Sequence, residues 1–293
     1  MPQALSDLLR THPLLVVPGV YDALLARLVD LAGFEALYIS GAGIAYSQLA
    51  TPDLGLVTLT ELVQRVNAIS AATRLPCIVD ADTGHGGVLN VYRTVRELER
   101  AGAAAIQLED QAFPKRCGHL PGRSLVPIDE MVARLRAAQE ARTRSECLII
   151  ARTDAAAVVG LTEALRRGHR YIDAGADILF IESPNSISDL EQIGREFGAS
   201  VPLMVNMVEG GRTPLVPPHT LRELGFRIVI YPNSLTRSII WVASQLLRVL
   251  REEGTTQQFL DRMISFSELQ DLLALPEWQV LEERLASRTA SEG

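Results

Sequence analysis

Eight short apolar runs, each closed at its C-terminal side by polar or turn-forming residues, constrain the fold of this chain more than any other feature. The first four are Leu14–Val17 before Pro18-Gly19, Ala36–Ile39 before Ser40-Gly41, Cys77–Val79 before Asp80-Ala81-Asp82, and Ala105–Leu108 before Glu109-Asp110. The other four are Leu148–Ala151 before Arg152-Thr153-Asp154, Ile178–Ile181 before Glu182, Leu203–Val205 before Asn206, and Ile228–Ile230 before Tyr231-Pro232. Each is rich in apolar residues, chiefly Ile, Val and Leu, as a strand buried on both faces must be. Amphipathic segments separate them. Leu59–Thr73 sets Leu62, Val63, Val66 and Ile69 along one stripe, and Val91–Ala101 and Ile128–Ala141 behave alike. Ala32-Gly33, Ala101-Gly102, Ala174-Gly175 and Leu224-Gly225 each stand a few residues before an apolar run, where glycine supplies the left-handed residue that closes a helix. This repeated joint predicts parallel strands alternating with helices, and eight such strands predict an α/β fold of the (β/α)8 barrel type.

The spacing of the runs organises the rest. The gaps from Ser40 to Cys77 and from Asp110 to Leu148 are long, and both begin at a strand's C-terminal end, so they predict long loops on the catalytic face. The barrel is expected over roughly residues 14–252, with Ser238–Arg251 as its last helix. Thr255–Ser287 reads as added helices, a C-terminal extension over 253–287. No Pro/Gly/Ser-rich linker interrupts this order, so residues 1–293 read as one domain. Apolar residues at 47% and charged residues at 22% set aside disordered, collagenous and coiled-coil readings. The 28 basic and 35 acidic residues give a net charge of −7 with no Lys/Arg block, which argues against nucleic-acid binding. Met1–His12 carries Asp7 and lacks the plan of a signal peptide, and no stretch reaches the ~18 apolar residues of a membrane helix. Three cysteines, Cys77, Cys117 and Cys147, do not make a disulfide framework, so the expected compartment is the reducing cytoplasm.

A barrel of this kind works at the C-terminal ends of its strands. Those ends carry Ser40, Asp80, Asp82, Glu109, Asp110, Arg152, Asp154, Glu182 and Asn206. Four of them offer carboxylates, and such a gathering of like charge calls for a cation. The donors are all oxygens, with no His or Cys at zinc spacing, which favours Mg²⁺ or Mn²⁺. Asp80 and Asp82, two apart in extended chain, face the same way and can share one ion or its waters. Asp110 and Asp154 are expected only to cap the helices that follow. The glycines after Asp82 form no P-loop, because no Gly-Lys-Ser/Thr follows. His85 among them suits an acid/base group and a polar loop residue about equally.

Glu109–His119 is the most informative segment. Of the 28 basic residues only Lys115 is a lysine, and it lies two residues before Cys117, with Arg116 between and Gly118-His119 after. Cationic neighbours ready a thiol as nucleophile or as proton donor to a carbanion. Gly118, Gly122, Pro114 and Pro121 suit a loop that opens and closes as a lid. Cys77 and Cys147 flank strand runs and are expected to fill core space.

Lys115-Arg116-Cys117-Gly118-His119 resembles the lyase signature of the isocitrate lyase/phosphoenolpyruvate mutase superfamily. Ser40-Gly41-Ala42-Gly43, Pro52-Asp53-Leu54-Gly55, Asp80-Ala81-Asp82, Glu109-Asp110-Gln111, Ala151-Arg152-Thr153-Asp154 and Asn206-Met207-Val208-Glu209-Gly210-Gly211 follow in that family's order. The resemblance covers roughly Val16 to Leu285. It implies a Mg²⁺-dependent barrel enzyme that acts on small 2-oxo or 2-hydroxy acids, usually a homotetramer whose eighth helix is exchanged between paired subunits. By position it implies that Asp80, Asp82 and Glu109 hold the metal, partly through water. Ser40, Gly41, Ala42, Asp53, Gly118, Arg152, Glu182 and Asn206 would contact substrate, with Arg152 also carrying developing charge. Cys117 would be the proton donor and Tyr38 the candidate base or polariser, with Lys115 and His119 completing the lid. Fixed cations for charge developing on oxygen, and a poised acid for a carbanion, agree with the reading of the residues themselves.

The departures narrow the substrate. Methylisocitrate lyases resemble this chain but carry, near the C-terminus, an Arg that grips an extra carboxylate, where Ser265-Phe266-Ser267-Glu268-Leu269 here presents Phe266. A carboxylate facing Phe would lose a charge-assisted pair, on the order of a few kcal/mol. The expected activity is therefore cleavage of a small 2-hydroxy acid, a dicarboxylate of 2,3-dimethylmalate type before a tricarboxylate of 2-methylisocitrate type, to pyruvate or a close α-keto acid. P–C bond formation, as in carboxyvinyl-carboxyphosphonate phosphorylmutases, and cleavage of oxaloacetate by hydrolysis or decarboxylation stay open beside it.

Overall fold

The computed structural model describes residues 4–118, 120 and 122–290. Eight parallel strands pair in chain order and close, β1 (Leu15–Val20) lying between β2 (Leu37–Ile39) and β8 (Phe226–Tyr231). Between them run β3 (Cys77–Asp80), β4 (Ala103–Glu109), β5 (Leu148–Thr153), β6 (Ile178–Ile181) and β7 (Leu203–Asn206). This is the expected (β/α)8 barrel. The apolar runs located every strand, but several pair one to three residues further. Asp80, Glu109, Arg152 and Asn206 are thus strand residues in register with their neighbours, not the first residues of loops.

The helices before and between the strands are α1 (Leu5–Thr11), α2 (Ala23–Leu31), α3 (Gly41–Ile44), α4 (Leu59–Ala71), α5 (Val88–Arg100) and α6 (Ile128–Ala141). After them come α7 (Ala155–Val158), α8 (Leu161–Asp173), α9 (Ile187–Phe197) and α10 (Pro218–Glu223). Local chemistry fixes their ends. Thr58 and Glu61 form a reciprocal capping box at the start of α4. Gly33, Gly102, Gly175 and Gly225 all adopt the positive φ expected of the helix-closing glycine.

Alternation along each strand sorts the core. Leu15, Val17, Tyr38, Ile78, Ala105, Ile150, Ile178, Phe180, Met204, Ile228 and Ile230 form one buried cluster with Leu5, Leu8 and Leu9 of α1. Strand residues of the opposite phase, such as Leu37, Ile39, Val79, Ile106 and Ile149, pack instead with helical Leu62, Val66, Val95 and Leu135. Helix α1 is anchored at the N-terminal end of the strands, where Arg227 Nη2 donates to the carbonyls of Leu9 and His12. Cys77 and Cys147 sit in the core as expected.

The chain divides into two compact units between Thr236 and Arg237, inside helix α11 (Ser234–Glu253). The second unit holds the rest of α11, a short turn of helix over Gln257–Arg262, α12 (Phe266–Leu272) and α13 (Leu275–Ala290), which are the extra helices expected after the barrel. Among the described residues no helix is long and apolar enough to cross a membrane.

Candidate active site

Because every strand runs the same way, all the polar strand ends open on one end of the barrel. Asp80 closes β3, Asp82 lies two residues beyond it, and Glu109 closes β4. Each offers an oxygen within 4.8 Å of the other two. Asp82 holds a φ of 50°, a left-handed conformation unusual for a residue with a side chain. Asp80 Oδ1 accepts from Gln107 Nε2 at 3.0 Å and from the Asp82 N–H at 3.2 Å. Gln107 Oε1 in turn accepts the Tyr38 hydroxyl at 3.0 Å.

The electrostatics suit a cation. Burial, reinforced by Asp80 and Asp53 and opposed by Lys115, pushes the Asp82 carboxyl up to about 7. Burial does the same to Glu109, which is raised well above the usual carboxylate range with Asp154 and Asp82 adding to it. Glu109 Oε1 is buried with no hydrogen-bond partner among the described residues. An orphaned carboxylate oxygen beside two more carboxylates fits a hard divalent ion with oxygen ligands. Asp80, Asp82 and Glu109 could therefore bind a metal.

Lys115 reaches this cluster from the segment after β4. Its Nζ lies 2.5 Å from Asp53 Oδ1 and 2.5 Å from Asp82 Oδ1. Burial works against its charge, but Asp82, Asp53, Glu109 and Asp80 together outweigh burial and hold the ammonium well above the usual lysine range. Asp53 thus pairs with Lys115, and its carbonyl accepts the Cys117 N–H at 3.1 Å. Cys117 is half-buried two residues further on. Gly118 continues the segment across the site, its carbonyl accepting from Ser183 Oγ at 3.1 Å. His119 lies outside the described residues.

Opposite the carboxylates stands Arg152, its guanidinium 5.4 Å above the Phe180 ring. Its Nη1 is 3.4 Å from Glu109 Oε2 and 3.6 Å from Glu182 Oε2. Asn206 Nδ2 donates to the same Glu182 oxygen at 3.2 Å, while Asn206 Oδ1 is buried without a hydrogen-bond partner among the described residues. Ser40 caps the short α3, accepting the Gly43 N–H at 3.0 Å. A β-carbon on Gly41 would come within 3.2 Å of Asp80 Oδ2, so the Gly41 backbone lies directly against the carboxylates. Ala42 follows it, buried. Phe266 belongs to the second unit, where it opens α12 and is 80% exposed.

Tyr38 is brought into the group, but not as a ready base. Burial first, and Asp80 next, raise its phenol well above 10, and its proton is committed to Gln107. Gln107 itself escaped the sequence reading. Its signal was there, a lone polar residue inside the apolar run Ala105–Leu108. Asp110 and Asp154 also differ from expectation. Asp110 accepts from Thr153, Arg167, Tyr171 and the Asp154 N–H, and Asp154 makes no side-chain cap on α7.

A closed parallel barrel that gathers carboxylates and a guanidinium at the C-terminal end of its strands has the layout of a barrel enzyme's active site. Comparison with known proteins makes this specific. The family profile described as phosphoenolpyruvate phosphomutase matches residues 5–250. The chain is 44% identical to 2,3-dimethylmalate lyase of Eubacterium barkeri over 97% of each protein. It is 44% identical to 2-methylisocitrate lyase of Aeropyrum pernix, over 98% of this chain and 92% of the relative. A crystal structure of 2,3-dimethylmalate lyase superposes with a TM-score of 0.90 at 38% identity, covering 96% of this chain and 93% of that one. The chain belongs to the isocitrate lyase/phosphoenolpyruvate mutase superfamily and is an enzyme of its oxo-acid lyase type.

Proposed function

We propose that this enzyme cleaves the C2–C3 bond of a small 2-hydroxy dicarboxylate, of 2,3-dimethylmalate type, to pyruvate or a close α-keto acid and a second carboxylic acid. The observation that carries the reading is the buried Asp80–Asp82–Glu109 cluster facing Arg152, with the Cys117 segment laid across it. Asp80, Asp82 and Glu109 are the residues to hold Mg²⁺, or Mn²⁺ in its place. When bound, the ion neutralises charge that develops on substrate oxygens.

The protein's own groups account for the rest. Arg152 Nη1 meets a substrate carboxylate, competing with Glu109 and Glu182 for the same nitrogen. Ser40, Gly41, Ala42, Gly118, Glu182 and Asn206 contact and orient the acid. As the C2–C3 bond breaks, a base at the site takes the proton of the C2 hydroxyl and C2 becomes the keto carbon. The bonding pair stays on C3 until that carbon is protonated, and Cys117 Sγ supplies the proton. Tyr38 takes part as a neutral phenol. Lys115, with His119, belongs to the segment that closes over the acid, and the Lys115 ammonium balances Asp53 and Asp82. Phe266, standing where methylisocitrate lyases carry an Arg, favours a dicarboxylate with an apolar group over a tricarboxylate.

We further propose one catalytic domain over 1–293, a cytoplasmic location, and a homotetramer of pairs that exchange their eighth helix. Trp241, Phe266, Trp278 and Val280 of the second unit are exposed in the single chain, which supports association. Light scattering that returned a monomer mass would rule the assembly out.

The deciding experiment is a coupled assay for pyruvate with Mg²⁺, offering 2,3-dimethylmalate, 2-methylisocitrate, isocitrate and oxaloacetate to the wild type and to Cys117→Ser. Pyruvate from dimethylmalate, lost in the variant, is the expected result. No keto acid from any of the four sinks the reading. A new phosphonate signal in ³¹P spectra, or oxalate and acetate formed from oxaloacetate, would replace it.

A further inference from the structure

We propose that Asp154 is the positioning residue for Arg152, and that Arg123 sets how much of the Asp154 charge Arg152 feels. The proposal rests on the reading above, in which Arg152 grips a substrate carboxylate. Asp154 Oδ2 accepts from Arg152 Nε at 3.0 Å and Oδ1 from Arg152 Nη2 at 3.1 Å, a two-pronged pairing that fixes the guanidinium plane. The same Oδ1 accepts from Arg123 Nη1 at 2.6 Å. Arg123 comes from the segment between β4 and α6, and the two side chains are 2% and 0% exposed. Arg123 Nε is occupied by the Leu120 carbonyl at 3.1 Å.

Asp154 is held from behind as well. Its backbone N–H donates to Asp110 Oδ1 at 3.0 Å, and Asp110 is itself bound by Thr153, Arg167 and Tyr171. Capping would be the ordinary reason for an Asp at this position, but its carboxylate bonds to no N–H of the four-residue α7. With the Nε–Nη2 edge of Arg152 engaged, Nη1 is the nitrogen turned toward Glu109 and Glu182.

A buried carboxylate shared by two guanidiniums neutralises neither completely. Take Arg123 away, and the Asp154 charge falls on Arg152 alone, which then holds a substrate anion less firmly. Take the Asp154 charge away, and Arg152 loses its orientation and turns toward Glu109 and Glu182. Arg123 and Asp154 are thus one device, assembled from segments 31 residues apart.

The test is calorimetric titration of oxalate into the Mg²⁺-supplemented wild type, Arg123→Gln and Arg123→Lys, with crystal structures of wild type and Asp154→Asn. Arg123→Gln should weaken oxalate roughly tenfold and Arg123→Lys should recover most of that. In turnover, KM should rise in Arg123→Gln more than kcat falls. The Arg152 guanidinium should leave its wild-type place in Asp154→Asn. Unchanged oxalate affinity in Arg123→Gln, or an unmoved guanidinium in Asp154→Asn, overturns the proposal. If the wild type takes up no oxalate while the guanidinium still moves, the functional reading fails and the positioning role stands.

Discussion

Gly118 has no room for a β-carbon, which would lie 2.5 Å from Arg152 Nη2 and 2.8 Å from Glu182 Cγ. Gly118→Ala therefore displaces the guanidinium instead of unfolding the barrel. A shift of about 1 Å at a reacting site can cost ~100-fold, so kcat/KM should fall steeply in steady-state assays while Tm hardly changes. Lys115 carries a different burden. Lys115→Met leaves Asp53 and Asp82 buried without their shared cation, and breaking such a pair costs ~3–5 kcal/mol, to be read from urea unfolding. The thiols separate by reactivity. Burial pushes Cys77 up to about 12, and burial with Glu99 nearby does the same to Cys147. Iodoacetamide at pH 8 should thus label Cys117 in the native protein and spare the other two, as peptide mass spectrometry would show. The carboxylates and Arg152 were legible in the sequence because each stands at, or just after, the end of an apolar run, and Cys117 because the chain's single lysine stands two residues before it. The Arg123–Asp154 pair was not, since only the pairing of β4 with β5 brings the segments that carry them side by side.

Glu99, near the end of α5, closes the turn between α6 and β5. It accepts the N–H of Thr143, the Thr143 hydroxyl and the N–H of Arg144. Burial pushes its carboxyl up, but those bonds from Thr143 and Arg144 outweigh burial and leave it below the usual range. A lowered carboxyl contributes stability above its unfolded pKa and loses it as pH falls through the folded one. Glu99→Gln should therefore cost about 1–2 kcal/mol at neutral pH, and the gap to wild type should narrow in acid urea melts. Helix α9 meets a harder limit. A β-carbon on Gly194 would fall 1.7 Å from the Leu224 carbonyl oxygen, just before β8. Backbone cannot step aside there, so Gly194→Ala should lower stability by ~1–3 kcal/mol or more. Strand and helix positions were readable from periodicity and from the glycine joints. The tight contact at Gly194 was not, because it depends on how two helices pass each other.

The order of apolar runs and amphipathic segments was enough to predict a closed parallel barrel, since right-handed strand–helix–strand units leave few other arrangements. The division at Thr236/Arg237 was not readable, because α11 continues through it with one helical pattern. At the end of the strands opposite the carboxylates, Leu5, Leu8 and Leu9 of α1 close the inner cluster of the barrel and Arg227 ties the helix to β8. Substitutions there, such as Leu8→Ala, should reduce stability by ~2–5 kcal/mol yet leave KM of the folded fraction unchanged. The chain's single lysine also makes it a gauge of its own breathing. Lys115 is 3% exposed, so an amine-directed dye should leave every side chain of the native protein unmarked. Any dye found on Lys115 then counts the molecules whose site stood open while the reagent was present.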